Sequence, residues 1–180
     1  MAEEKAVITI HEITEAGTGT RVCIDTADHL SSTEGLLIGS TGSGYFHVLS
    51  ENNATETYPP RVFRVNAGGI HHYIREKDNT VYASEIQGGS SIDIFDGKEW
   101  SRKIVGRAKW EHRPLLHVSG FIENKKITAV LQQADSVCLM RESGERVPVI
   151  DLKPGDKVQG FSDTPGRHLG RQIEEYIEEK

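Results

Sequence analysis

Apolar and polar residues alternate with a period of two along most of this chain, the spacing of half-buried β-strands rather than of helices. Val7 to Ile13 predicts a first strand, and Arg21 to Thr26 a second, entered through Gly17-Thr18-Gly19. Gly35 to Ser40 and Tyr45 to Ser50 predict a hairpin around Thr41-Gly42-Ser43-Gly44, followed by the polar loop ENNATETYPP. Further strands are predicted over Thr80 to Ala83, Ser91 to Phe95, Lys103 to Trp110, Leu115 to Ile122 and Lys126 to Leu131. Val137 to Met140, Arg146 to Ile150 and Lys157 to Phe161 complete the series. Short strands at such even spacing point to barrels or sandwiches. The expected fold is mainly β, with short antiparallel strands in small barrel-like or sandwich units.

One helix is predicted. Leu169, Ile173, Tyr176 and Ile177 recur at three- and four-residue intervals, with Glu174, Glu175, Glu178 and Glu179 on the other side. The predicted organisation is a β-rich unit over 1–78 carrying the candidate site, a barrel-like unit over 79–165, and this amphipathic helix over 166–180. An internal echo supports repeated β units. Val81 to Ile92 (VYASEIQGGSSI) aligns without gaps on Val147 to Val158 (VPVIDLKPGDKV), each reading strand, acidic residue, aliphatic residue, glycine-ended turn and new strand.

The stretch Pro60 to Tyr73, PRVFRVNAGGIHHY, breaks the plain alternation. It puts Phe63 and Val65 on one face and Arg64 and Asn66 on the other, then stops at Gly68-Gly69 before His71 and Tyr73. A glycine pair among donors and acceptors of both kinds lets another molecule approach the backbone, which predicts a site; a strand, turn and strand with a polar face is the simpler reading.

Composition narrows the function. With 180 residues, 36% hydrophobic content and 18 glycines, the chain suits a loop-rich β protein better than a helical bundle. A formal charge of -6 argues against a broad nucleic-acid surface, which needs a basic face. Cys23 and Cys138 have no CxxC spacing, so reduced thiols and a cytoplasmic location are expected rather than a zinc site or disulfides. The acidic N-terminus MAEEKAVITI is not a secretion signal, and no segment has the apolar length of a membrane helix.

Gly39 to Gly44 has the composition of a phosphate loop, but the strand-like YFHVLS follows where a helix would be needed, so a hairpin turn is the better reading. His71-His72 is the one adjacent histidine pair; on a strand the two would point apart, so no chelate is predicted, and His71 is the better candidate for proton transfer. Arg21, Arg61, Arg64, Arg107, Arg113 and Arg167 stand beside glycine, proline or histidine or inside strands rather than in charged runs. Their planar forks suit carboxylate or phosphate, although Asp25, Glu85 and Glu111 offer structural ion pairs instead.

These segments also carry a family likeness. GTGTRVCIDT (17–26), EGLLIGSTGSGYF (34–46), PRVFRVNAGGIHHY, YASEI (82–86), IVGRAKWEHRPL (104–115), AVLQQADSV, DLKPGDKV and GRHLG (166–170) occur in order, and together they resemble the second half of archaeal-type 3-dehydroquinate synthase, or dehydroquinate synthase II. His47, Leu49, His112 and His117 depart from that pattern. The resemblance implies an NAD-dependent oxidative deamination and cyclisation of an amino-dideoxy-heptulosonate to 3-dehydroquinate, on the way to aromatic amino acids. It implies that Arg64, Arg107 or Arg113, with Arg21, hold the substrate carboxylate, that Asn66 orients a hydroxyl or carbonyl, and that His71 or Glu85 moves protons. All are expected in one cleft. Relatives that make 3-amino-4-hydroxybenzoate imply an alternative without NAD and with a divalent metal. Family members carry an α/β first half before the matched region, which implies a separately encoded partner or a non-catalytic binding subunit as a further alternative.

Overall fold

The computed structural model describes residues 4–180 apart from 166, 169–170 and 173–175, with backbone alone at 167–168 and 171–172. Its strands are β1 (Glu4–Thr26), β2 (Gly35–Gly39), β3 (Gly44–Leu49), β4 (Arg64–Gly69), β5 (Tyr73–Arg75), β6 (Thr80–Tyr82), β7 (Ser91–Phe95) and β8 (Trp100–Ile122). They continue as β9 (Lys125–Gln132), β10 (Cys138–Met140), β11 (Arg146–Pro148), β12 (Lys157–Ser162), β13 (Arg167–His168) and β14 (Arg171–Gln172). Twelve of them form one antiparallel sheet, drawn from both of the expected β units. Within it the pairing path β3-β12-β1-β8-β7-β2 returns on itself through a β2–β3 pairing, so the sheet closes into a ring.

The two longest strands correct the sequence reading. Val7 to Ile13 and Arg21 to Thr26 belong to one strand of 23 residues, and the predicted Lys103 and Leu115 strands to another of the same length. Gly17, read as a loop residue, is a bulge within β1: the register slips between Glu15 and Gly17, and its φ of 97° is one that a side chain would resist. Bulges bend a strand without ending it, which is why β1 serves β12 with one half and β8 and β4 with the other.

The predicted C-terminal helix is a second correction. Leu169 and Ile173, half of its apolar stripe, lie outside the described residues. The described remainder is a two-residue pairing of β13 with β14 and an extended segment from Tyr176 to Lys180. The four glutamates leave that segment little apolar surface with which to hold a helix against the sheet.

The internal echo is a duplication of the fold. A 3-10 turn follows β6 at Ala83–Glu85 and another follows β11 at Val149–Asp151, 66 positions later. Gly89 and Gly155, the same interval apart, have φ of 93° and 94°. The symmetry extends to the central ladder. Each β1·β8 pair has an answer with the strands exchanged: Ile13↔Val118 answers Ile24↔Ala108, and Thr14↔His117 answers Cys23↔Lys109, about a pseudo-two-fold axis at Gly19↔Arg113. On the flanking strands Cys23↔Asn66 and Asp25↔Arg64 answer His117↔Val130 and Ser119↔Thr128. Ser40 and Thr41 follow β2 as Ser50 and Glu51 follow β3. The core between the copies is aliphatic, with Val22, Ile24 and Val65 answered by Leu116, Val118 and Ala129, all buried. Each such side chain contributes about 1.5–3 kcal/mol.

Among the described residues no helix is long and apolar enough to cross a membrane.

Candidate functional site

Strand alternation builds the site. Where β1 and β4 pair, Val22, Ile24, Val65 and Ala67 face the core. The intervening positions put Arg21, Cys23 and Asp25 beside Arg64 and Asn66 on the opposite face. β8 adds Lys109, Glu111 and Arg113, and the loop after β3 adds Glu51, Tyr58 and Arg61. Together with Gln132 and Ser136 these enclose a cavity of about 190 Å³.

Its charges are organised around three carboxylates. Asp25, 2% exposed, accepts from Arg64 Nε and Nη2 at 2.8 and 3.1 Å and from Arg107 Nε at 2.6 Å. Burial alone would raise the Asp25 carboxyl, but those bonds and charges hold it below its ordinary range. Glu51 pairs with Arg61 at 2.8 Å, yet burial keeps its carboxyl above the ordinary range. Glu111 bridges Arg21 and Arg113, one oxygen to each Nη2, with Lys109 Nζ at 3.5 Å. Arg21 is left with Nε and Nη1 buried and without an acceptor among the described residues. The Cys23 thiol is pushed up to about 12 by burial and is uncharged. Asn66 is held in place, its Nδ2 donating to Gln132 Oε1 at 2.8 Å and its Oδ1 accepting from Gly68 N at 3.1 Å.

The seven residues expected in one cleft fall in three places. Arg21, Arg64, Asn66 and Arg113 share the arginine cavity. Arg107 reaches Asp25 from outside, and with Glu85 it lines a separate groove beside Trp110. The Glu85 carboxylate accepts from Tyr82 N at 2.8 Å, which engages it as the cap of its own turn. His71 lies in a third cavity, of about 750 Å³, with Ser40, His117, Lys126 and Thr128, its Nε2 2.9 Å from Ser40 Oγ. Burial, with His117 nearby, holds the His71 imidazole below its ordinary range. Arg167 carries no described side chain.

The histidine pair sits at a turn, so the rings do not point apart but lie 4.4 Å from each other. His72 is fully buried and locked neutral: its Nδ1 lies 2.7 Å from Ala67 O, and its Nε2 accepts from Val130 N at 2.9 Å. Burial presses its pKa to about 3. The glycine pair answers to this packing rather than to a ligand, because a Cβ on Gly68 would lie 2.5 Å from Val130 O and 2.8 Å from the His72 ring. Sequence reasoning also passed over Glu51 and Lys109 as members of the arginine cavity, and it weighed Glu111 only as an ion-pair partner. The signal available for Glu111 was its place two residues from Arg113, which on a strand puts both side chains on one face.

A family profile described as the 3-dehydroquinate synthase II C-terminal domain matches residues 7–180. The chain belongs to that family. A 3-dehydroquinate synthase of Methanopyrus kandleri is 42% identical over 98% of this chain and 45% of its own length. A 3-dehydroquinate synthase homolog of Aquifex aeolicus is 41% identical over 98% of this chain and 54% of its own length. A 3-dehydroquinate synthase of Methanocella arvoryzae is 42% identical over 96% and 46%. The chain therefore spans about half the length of the curated relatives it matches. No solved structure matches it.

In this dehydroquinate synthase II domain, Gly39 to Gly44 joins two paired strands, so the glycine-rich turn lacks the helix N-terminus that cradles a dinucleotide. Among the described residues no group of three or more His, Cys, Asp or Glu side chains is placed to hold a metal ion, so the metal of the aminohydroxybenzoate alternative finds no ligand set there.

Proposed function

We propose that this domain supplies the carboxylate-binding part of a 3-dehydroquinate synthase II active site, which converts an amino-dideoxy-heptulosonate to 3-dehydroquinate by NAD-dependent oxidative deamination and cyclisation. The observation that carries the reading is Arg21, a buried guanidinium with unused donors in a cavity lined by four arginines. A buried donor without an acceptor costs about 1–3 kcal/mol, so a fold that keeps one has a use for it. In this reading Arg21 and Arg113 take the substrate carboxylate. Arg64 orders the floor through Asp25, and the fixed Asn66 amide orients a substrate oxygen. The domain offers no dinucleotide cradle, so its part is to bind and orient, and NAD is assigned to the length of the family that this chain does not span.

The test is an assay of the chain together with the preceding half of a family member, with amino-heptulosonate and NAD, following NADH absorbance. NADH formation that Arg21→Leu abolishes is the expected result. Turnover that survives Arg21→Leu, or no turnover from the pair, overturns the reading.

A second reading, a non-catalytic subunit that docks an α/β partner, is favoured by Trp110 and Ile104, which are 51% and 61% exposed on β8. Size-exclusion chromatography with that half separates the two readings: a complex without turnover favours this one, and no association weakens it.

A further inference from the structure

We propose that Glu111 is the arginine site's internal stand-in for its ligand, a compact oxyanion that enters by displacing the Glu111 carboxylate from Arg21 and Arg113. The inference rests on the proposed carboxylate-binding reading and names both the class of ligand and the group that guards the site.

The charges lead to it. Arg21, Arg61, Arg64, Lys109 and Arg113 line the cavity against Glu51 and Glu111. Arg64 is matched by Asp25 and Arg61 by Glu51, which leaves Arg21, Lys109 and Arg113 facing the single carboxylate of Glu111. A positive excess in an enclosed space favours an anion strongly, because little water is there to screen it. Glu111 is bound as a ligand carboxylate would be, one oxygen on each of two guanidinium groups. It is also the member able to leave, since its side chain is 24% exposed where that of Arg21 is 5% exposed.

The donors on Arg21 that Glu111 leaves empty point to a ligand with more oxygens than one carboxylate can offer. A cavity of about 190 Å³ admits a phosphate or a small dicarboxylate and excludes a nucleotide. The fold does not require this arrangement. At the pseudo-symmetric positions Leu115 stands for Arg21 and Gly17 for Glu111.

Calorimetric titration of the full chain at low salt, with inorganic phosphate and with malonate as probes, tests this. Glu111→Gln keeps the shape of the side chain and removes its charge, so it is expected to bind at least one probe about tenfold tighter than the unaltered chain. The probe that gains more identifies phosphate or carboxylate as the source. Arg21→Leu is expected to bind neither, and Arg113→Gln provides a second way to weaken the clamp if Arg21→Leu does not fold. Glu111→Gln binding no tighter than the unaltered chain overturns the inference, as does undiminished binding by both arginine variants. Binding is read without turnover, so a tightened Glu111→Gln alongside a failed NADH assay would sink the reaction and leave the anion site standing.

Discussion

The duplicated fold places two cavities at corresponding positions and fills them with opposite chemistry. In the first copy the lining runs Arg21, Cys23, Asp25, Arg64, Asn66 and Glu51. The same positions in the second are Leu115, His117, Ser119, Thr128, Val130 and Thr41. The core-facing residues between them are aliphatic in both copies. One backbone thus accepts either lining, so the charges of the first copy are not needed to hold the ring together. Ion pairs in such a place are at best neutral for stability against apolar packing. Their presence in one copy alone marks that copy as the site.

The largest effect that would sharpen this contrast comes from Asp25. Asp25→Asn leaves the buried Arg64 facing a neutral amide, and a loss of about 3 kcal/mol or more is expected in chemical denaturation. Ser119→Ala, at the corresponding position, is expected to cost under about 1 kcal/mol, because the serine Oγ makes only a long 3.5 Å contact with Glu12 O. Equal losses from the two would mean that the charge network is structural after all.

Arg21→Leu copies the other half's Leu115 into the first. Stability is expected to stay within about 1 kcal/mol, since a buried ionic group gives way to an apolar one of lesser volume. Anion binding is expected to vanish. A large drop in melting temperature with anion binding retained would reverse the assignment.

Acid acts on a region common to both copies. His72, pressed to about 3, joins β4's turn to Val130 of β9. His47, pressed to about 4 by burial, lies within β3 with its Nε2 3.0 Å from Phe95 O. Both are held neutral in the fold, while the unfolded chain takes up protons near pH 6.5. Between those limits the unfolded state binds more protons, so stability falls as pH drops from 6.5 towards 4. A fall in melting temperature on the order of 5 °C or more across that interval is expected. His72→Asn should flatten the curve, and an unchanged slope in both single variants would show that other groups set it.

Much of this was legible in the residues. Period-two alternation located nearly every strand, because a ring with one buried face imposes that period directly. The gapless match of 81–92 on 147–158 foretold the two 3-10 turns. What misled was local: Gly17-Thr18-Gly19 reads as a loop, but long-range pairing with β8 carries the strand through it. The C-terminal stripe of Leu169 to Ile177 has helical spacing without a described helix. Four of the seven expected site residues share a cavity because alternate positions of paired strands face the same way. Glu85 and Arg107 do not, since nothing local in a sequence says which face of a bent ribbon a distant strand will cover.

The smallest expected effect probes the second cavity. Gly42 N donates to Glu179 Oε1 at 2.6 Å and Tyr73 Oη to Glu179 Oε2 at 3.1 Å, so a carboxylate of the C-terminal segment rests at the mouth of the uncharged copy. Burial, with Glu179 second, holds the Tyr73 phenol well above its ordinary range. Glu179→Gln removes the charge and keeps one acceptor, so stability should change by less than about 1 kcal/mol. Tyr73 should then ionise at lower pH, followed by its ultraviolet difference spectrum, and phosphate or malonate binding at Arg21 should not move. If Glu179→Gln altered that binding as strongly as Glu111→Gln, the two cavities would act as one site, and the division of labour between the copies would fail.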